Sequence, residues 1–222
     1  LMSKAYLVIA GNKYLAERAL SAGCRHVEII PSVIDLMSYR PESLPDKSAL
    51  IDGIPRIVWI GSPATVKYLD LIRNPLKKIA KDHEFIFRII GAKNFSINGV
   101  VIEEFSWSQS TEFESIASCD IGIMPLIDSM WEKGKCGYKL IQYMACSLPV
   151  IASSVGVNNK IIHHGQNGYL AMDETDWIKY IKKLIIFSKN RHLMGLKGRK
   201  LIESEYCVQI KAPVLADLFK RL

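Results

Sequence analysis

The sequence predicts an α/β fold built on a doubly wound parallel sheet, and three observations carry that expectation. Short β-branched runs alternate with helical patterns along most of the 222 residues, the mark of βαβ units. Several of the runs are almost wholly apolar, as strands covered on both faces are. The apolar share of 49% is that of a globular chain, and no apolar run approaches the roughly 18 residues needed to cross a bilayer.

In chain order, AYLVIAG and HVEIIPS read as strands on either side of a helical KYLAERAL. LMSKAYLVIA has no small-residue cleavage site, so no export leader is expected. MSYRPESLPDKSALIDG, residues 37–53, has two prolines, several charges and no periodicity, and reads as a linker. RIVWIGS is the next strand. The helical run from Val66 aligns Leu69, Ile72, Leu76 and Ile79 on one face, with a kink or restart expected at Asn74 and Pro75. FIFRIIG and VVIEEF follow as strands, Ser110 to Ser118 as a helix, and DIGIMPL as a strand running into a loop with Asp128, Trp131 and Glu132. Helices are expected over Gly137 to Cys146 and Glu174 to Phe187, with the strand PVIAS between them, and through most of the tail after Asn190. The first 36 residues are too few to bury a core alone and should be the edge of something larger.

Cysteines 24, 119, 136, 146 and 207 are odd in number and lack a C-x-x-C pair. Neither a disulfide framework nor a zinc site is indicated, and a reducing cytosol fits. The net charge of +7 suits nucleic acid, an anionic membrane surface or a phosphorylated ligand. Its basic C-terminal cluster reads first as a solvated helix face. No helix-turn-helix, zinc or RRM signature appears and the aromatics do not interleave with the basic run, which argues against nucleic acid.

Ligands of open parallel sheets sit outside the carboxyl ends of the strands. The loops after Gly61 and Ser62, after Gly91, and after DIGIMPL should therefore share one cleft. A helix starting near Gly137 would point unpartnered N–H groups and its positive dipole end at that cleft, favouring an anion. Gly134 and Gly137 would allow close approach. Within the helix Leu140, Ile141, Met144 and Ala145 form a core face, while Lys139, Gln142, Tyr143 and Cys146 share another. Lysine suits phosphate and glutamine suits sugar hydroxyls, although an ordinary amphipathic helix has the same pattern. Glu112 with Glu114, and Glu103 with Glu104, read as surface charge; His163 and His164, being adjacent, cannot chelate as an i, i+4 pair.

GYKLIQYMACSLPVIAS resembles the C-terminal nucleotide-binding domain of retaining GT-B glycosyltransferases of the family 4, glycogen-synthase-like, group. IPSVID, RIVWIGS with Lys67, FRIIG, SCDIGIMPL and HHGQNGYLA fall in that family's order, so the resemblance covers nearly the whole chain. It implies a Rossmann-like donor domain over 54–205, preceded by the last strand-helix unit of a missing N-terminal acceptor domain over 1–36. A C-terminal helix over 206–222 would cross back to that domain. It further implies transfer of a sugar, with retention, from a nucleoside diphosphate sugar such as a UDP- or GDP-sugar, with neither metal nor cofactor. Gly61, Ser62 and Lys67 would lie near the diphosphate, Phe105 and Trp107 would border the base, and Gly134, Lys135, Gly137, Tyr138 and Lys139 would border the donor sugar and phosphates. Gln142 would meet the ribose, and Lys67 and Lys139 would stabilise transition-state charge. The family's paired glutamates align with Gly134 and Gln142, and its arginine with Ser62, so neither carboxylate nor that cation is present. The missing groups keep open a non-catalytic nucleotide-sugar binding or regulatory module. A cytoplasmic protein, with peripheral contact at the inner face of the membrane, is the expected setting.

Overall fold

The computed structural model describes residues 1–40 and 53–221; residues 41–52, most of the expected linker, and Leu222 lie outside the described residues. A two-stranded parallel sheet comes first, formed by β1 (Val8–Ala10) and β2 (Val27–Ile29) around α1 (Lys13–Ser21). A parallel sheet of six strands follows, made of β3 (Arg56–Ile60), β4 (Ile86–Ile90), β5 (Val101–Phe105), β6 (Ile121–Met124), β7 (Val150–Ser153) and β8 (Gly168–Ala171) in the order β5-β4-β3-β6-β7-β8. The fold is thus the doubly wound α/β sheet that the sequence predicts.

Each face of the large sheet carries its own apolar layer. On one side α2 (Asp70–Ile79) and α7 (Glu174–Ile186) bury Ile72, Leu76, Ile181 and Leu184 against Ile57, Trp59 and Phe87. On the other, α3 (Glu112–Ala117), α5 (Tyr138–Ala145) and α8 (Ser188–Glu205) bury Ile116, Leu140, Met144 and Ile202 against Val58, Met124 and Ala152. The chain returns to the first unit before α9 (Val208–Lys220): Ile34 N–H donates to the Tyr206 carbonyl and Val208 N–H to the Ile34 carbonyl, each at 3.0 Å.

Three local expectations are corrected. Pro75 lies inside a continuous α2, where its ring meets no break; the discontinuity comes earlier, where a 3₁₀ stretch over Pro63–Leu69 passes into the α-helix. The loop after β6 contains a one-turn helix, α4 (Met130–Lys133), capped by the Ser129 hydroxyl accepting from Trp131 N–H; α6 (Asn158–Ile161) is a second such turn. Four residues are too few for a readable period. The sequence pattern does not mark β8, whose four residues follow a Gln166-Asn167 turn directly, yet it pairs along its length with β7.

Candidate functional site

The strand order reverses at β3 and β6, which is where an α/β sheet opens a crevice. These strands pair only at Ile57 with Ile121 and Val58 with Gly122, then separate. Tyr143, on α5, bridges the gap. Its hydroxyl accepts from Ile60 N–H at 3.0 Å and donates to the Ile123 carbonyl at 3.3 Å. The ring fits only because residue 122 is glycine, where a Cβ would come within 2.4 Å of it.

Above that gap lies a cavity of about 580 Å³ lined by the end of β3 (Ile60, Gly61, Ser62), by Gly91, by Trp107 and Glu112, and by the start of α5. The α5 start is set by Gly137, whose φ of 69° is in the left-handed region. No side chain caps this helix end, whose first residues, Gly137, Tyr138 and Lys139, line the cavity. Gly91, with φ of 86°, could not carry a Cβ, which would sit 2.7 Å from the Gly61 carbonyl oxygen; the β3 and β4 loops meet there.

Of the residues singled out from the sequence, Gly61, Ser62, Trp107, Lys135, Gly137, Tyr138, Lys139 and Gln142 line this cavity together. Three do not. Phe105 lines an adjoining hollow with Pro63, Gly91 and Trp107, under the Arg88 guanidinium at 4.5 Å from its ring centre. Lys67 is exposed, with Nζ 5.5 Å from the Tyr68 ring centre. Gly134 turns the other way: a Cβ there would face the Trp131 carbonyl and Leu15 of α1.

The second face of α5 is also corrected. Gln142, Tyr143 and Cys146 are buried, because α5 is sandwiched between the sheet and α8 instead of lying on the surface. Lys139 reaches the cavity with Nζ 5.6 Å from the Trp59 ring centre. Burial pulls its pKa down to about 8, and the nearby Lys135 charge adds to the fall.

Two carboxylates that read as surface charge have other roles. Glu112 accepts from the Tyr39 hydroxyl and from Trp107 Nε1, both at 2.5 Å, so it ties the segment before the linker to the cavity rim. Burial and then Glu112 raise the Tyr39 pKa, while a Gln142 hydrogen bond works the other way. Glu103 pairs with Arg88 at 2.6 Å, directly across the β4–β5 register. Glu114 and Glu104 are exposed as expected, although Glu104 accepts from Phe95 N–H. Glu112 could not have been found locally, since its partner Tyr39 is 73 residues away in sequence.

Glu132 is buried, accepting from the hydroxyls of Tyr68 and Ser129. Burial pushes its carboxyl up, but those two bonds and the Lys135 charge hold it below its ordinary value. Among the described residues no group of three or more His, Cys, Asp or Glu side chains could hold a metal ion. No helix among them is long and apolar enough to cross a membrane.

Comparisons with known proteins bear on the fold and the family. Among curated proteins no sequence matches the chain. Solved structures do: a glycosyltransferase from Rickettsia africae is similar at a TM-score of 0.80 and 15% identity, over 100% of this chain and 64% of its own. Anabaena HepE, solved in complex with UDP and glucose, gives 0.79 and 16%, over 98% and 64%. Sucrose-phosphate synthase from Thermosynechococcus elongatus gives 0.78 and 14%, over 99% and 59%. The chain therefore spans about 59 to 64% of the length of these neighbours, whose shared fold is that of GT-B enzymes. The model of the family described as glycosyl transferases group 1 matches residues 54–186, more than half of the sequence, and the chain belongs to that family.

Proposed function

We propose that this chain is the donor-binding portion of a retaining glycosyltransferase, which takes its sugar from a nucleoside diphosphate sugar. The observation that carries the reading is the cavity at the reversal of strand order, with an uncapped helix N-terminus and the ammonium of Lys139 at its base. Those groups suit a diphosphate: the helix amides and dipole favour an anion, and a lysine drawn out of water strengthens the contact. As the glycosidic bond breaks, negative charge builds on the leaving diphosphate, and Lys139 and the helix amides would stabilise it without a metal ion. Trp107 and Phe105 offer faces for the base, and Gln142 offers an amide for the ribose. The UDP found in Anabaena HepE supports a uridine donor by similarity of fold.

The acceptor would be supplied by an N-terminal domain to which residues 1–36 belong. The bare apolar side chains of Ile9 and Ile29 on the small sheet, and of Val214 and Phe219 on α9, are consistent with a covering domain. A non-catalytic module is the alternative, and one observation favours it: Gly134 offers no carboxylate to the cavity and Glu132 is engaged elsewhere.

Protonation tests the donor reading. An anion beside Lys139 raises its pKa from about 8, so nucleotide binding should take up a proton near pH 8 to 9 and weaken as pH rises further. Titration calorimetry in buffers of different ionisation heat measures that uptake; pH-independent affinity between pH 7 and 9.5 would contradict it. The sign for stability is opposite. A lysine pKa lowered by folding costs stability while the group is charged in both states, and that cost is relieved as pH rises from 8 towards the unfolded value of about 10.4.

A cytoplasmic setting with contact at an anionic membrane surface also fits. Residues 177–202 hold eight lysines and arginines and no acidic residue. Phe187, Leu193 and Leu196 are exposed beside Lys189, Lys197 and Lys200 along α8. Co-sedimentation with phosphatidylserine vesicles should fall sharply in Lys197→Glu/Lys200→Glu; equal binding by the variant would exclude this surface.

A further inference from the structure

We propose that Lys135 restores to the diphosphate seat the positive charge that Ser62 lacks, and that Tyr68 and Glu132 hold it in position. The inference rests on the donor reading above. Ser62 and Lys67 both follow β3, at the start of and within the 3₁₀ stretch; Ser62 lines the cavity but carries no charge, and Lys67 carries charge but does not line it. Lys135 does both, from the other side of the crevice.

What fixes Lys135 is a buried assembly that binding by helix amides and Lys139 leaves unexplained. Its Nζ stands 5.5 Å from the centre of the Tyr68 ring, the ring that Lys67, the residue before Tyr68, also approaches to 5.5 Å. Tyr68 is 4% exposed, and its hydroxyl donates to Glu132, itself 3% exposed. The second Glu132 oxygen accepts from Ser129, the residue that caps α4. A carboxylate this buried needs hydrogen bonds and a nearby cation, and Lys135, two residues past the end of α4, supplies the cation. Tyr68 and Glu132 are therefore positioning residues: one offers the π face under Lys135, the other orients the ring and adds attraction.

The placement has a cost that a ligand would relieve. Lys135 lies close enough to Lys139 to disfavour its charged form, so the cavity wall brings two like charges together. A diphosphate between them removes the repulsion and gains from both; a monophosphate reaches fewer of the groups. Lys135 should accordingly set the preference for diphosphate over monophosphate.

Calorimetric titration of the chain with UDP and with UMP tests this, using wild type, Lys135→Met, Lys135→Arg, Lys67→Met and Glu132→Gln. Lys135→Met should weaken UDP roughly tenfold or more while changing UMP much less, collapsing the preference between them. Lys135→Arg should recover most of it, Glu132→Gln should lower it in part, and Lys67→Met should cost less than Lys135→Met. An unchanged UDP-to-UMP ratio in Lys135→Met, or a larger loss in Lys67→Met, would overturn the inference while leaving the donor site standing. Absence of nucleotide binding by the wild type would instead remove the donor reading and this inference with it. Because Lys135 is partly exposed, its variants keep the test decisive should Glu132→Gln fail to fold.

Discussion

Gly195→Ala is expected to destabilise the chain by about 3 kcal/mol or more, although alanine is ordinarily the better helix former by roughly 1 kcal/mol. A Cβ at residue 195 would lie 2.0 Å from the Ser147 carbonyl oxygen and 2.8 Å from its carbon, both backbone atoms that no rotamer change can move aside. The close approach lets α8 pack on α5, and Arg199, one turn further, donates to the Ala145 carbonyl at 2.6 Å and the Tyr39 carbonyl at 2.7 Å. Ser147 has a positive φ of 56°, so the turn after α5 has little freedom to adapt. Forcing α8 away would also shift α5, whose first turn is the base of the cavity, so nucleotide affinity should fall with stability. Urea unfolding measures the first effect. A loss under 1 kcal/mol would show that the α5–α8 contact yields more readily than its geometry indicates.

Much of this architecture was legible because its signals are local. Wholly apolar runs such as IVWI and IGIM marked central strands, and the four-residue spacing in α5 and α7 marked helices. The glycine gap at the α5 start, with Lys139 and Gln142 behind it, was legible for the same reason. What the pattern could not carry was burial set by distant partners. Gln142, Tyr143 and Cys146 look like a polar face until the fold buries them, Tyr143 in the gap between β3 and β6, and Glu112 looks like surface charge until Tyr39 and Trp107 close on it. Glu132 reads from the sequence as one residue of the loop after β6; the short helix α4 turns it inward to Tyr68. The resemblance puts both Lys67 and Lys135 at the donor; the chain exposes Lys67 and lines the cavity with Lys135.

The second large effect falls on binding. Lys139→Ala removes an ammonium that burial has already stripped of much of its water, and a diphosphate bound there would lose a charge partner in a site of low polarity. Truncating one partner of such a pair costs about 2–3 kcal/mol, or roughly 30- to 150-fold in Kd. Gln142→Ala should cost less, about 1 kcal/mol, because a neutral amide bond to a ribose hydroxyl is partly replaced by water. Both residues line the cavity, and Lys139 is only partly buried, so the folded state should tolerate its loss. The deciding measurement is isothermal titration of the chain with UDP, GDP, ADP and CMP, repeated on Lys139→Ala and Gln142→Ala. One nucleoside diphosphate should bind, weakened strongly by the first substitution and modestly by the second; binding that neither substitution alters, or none by the folded wild type, would contradict the assignment of this cavity to the donor.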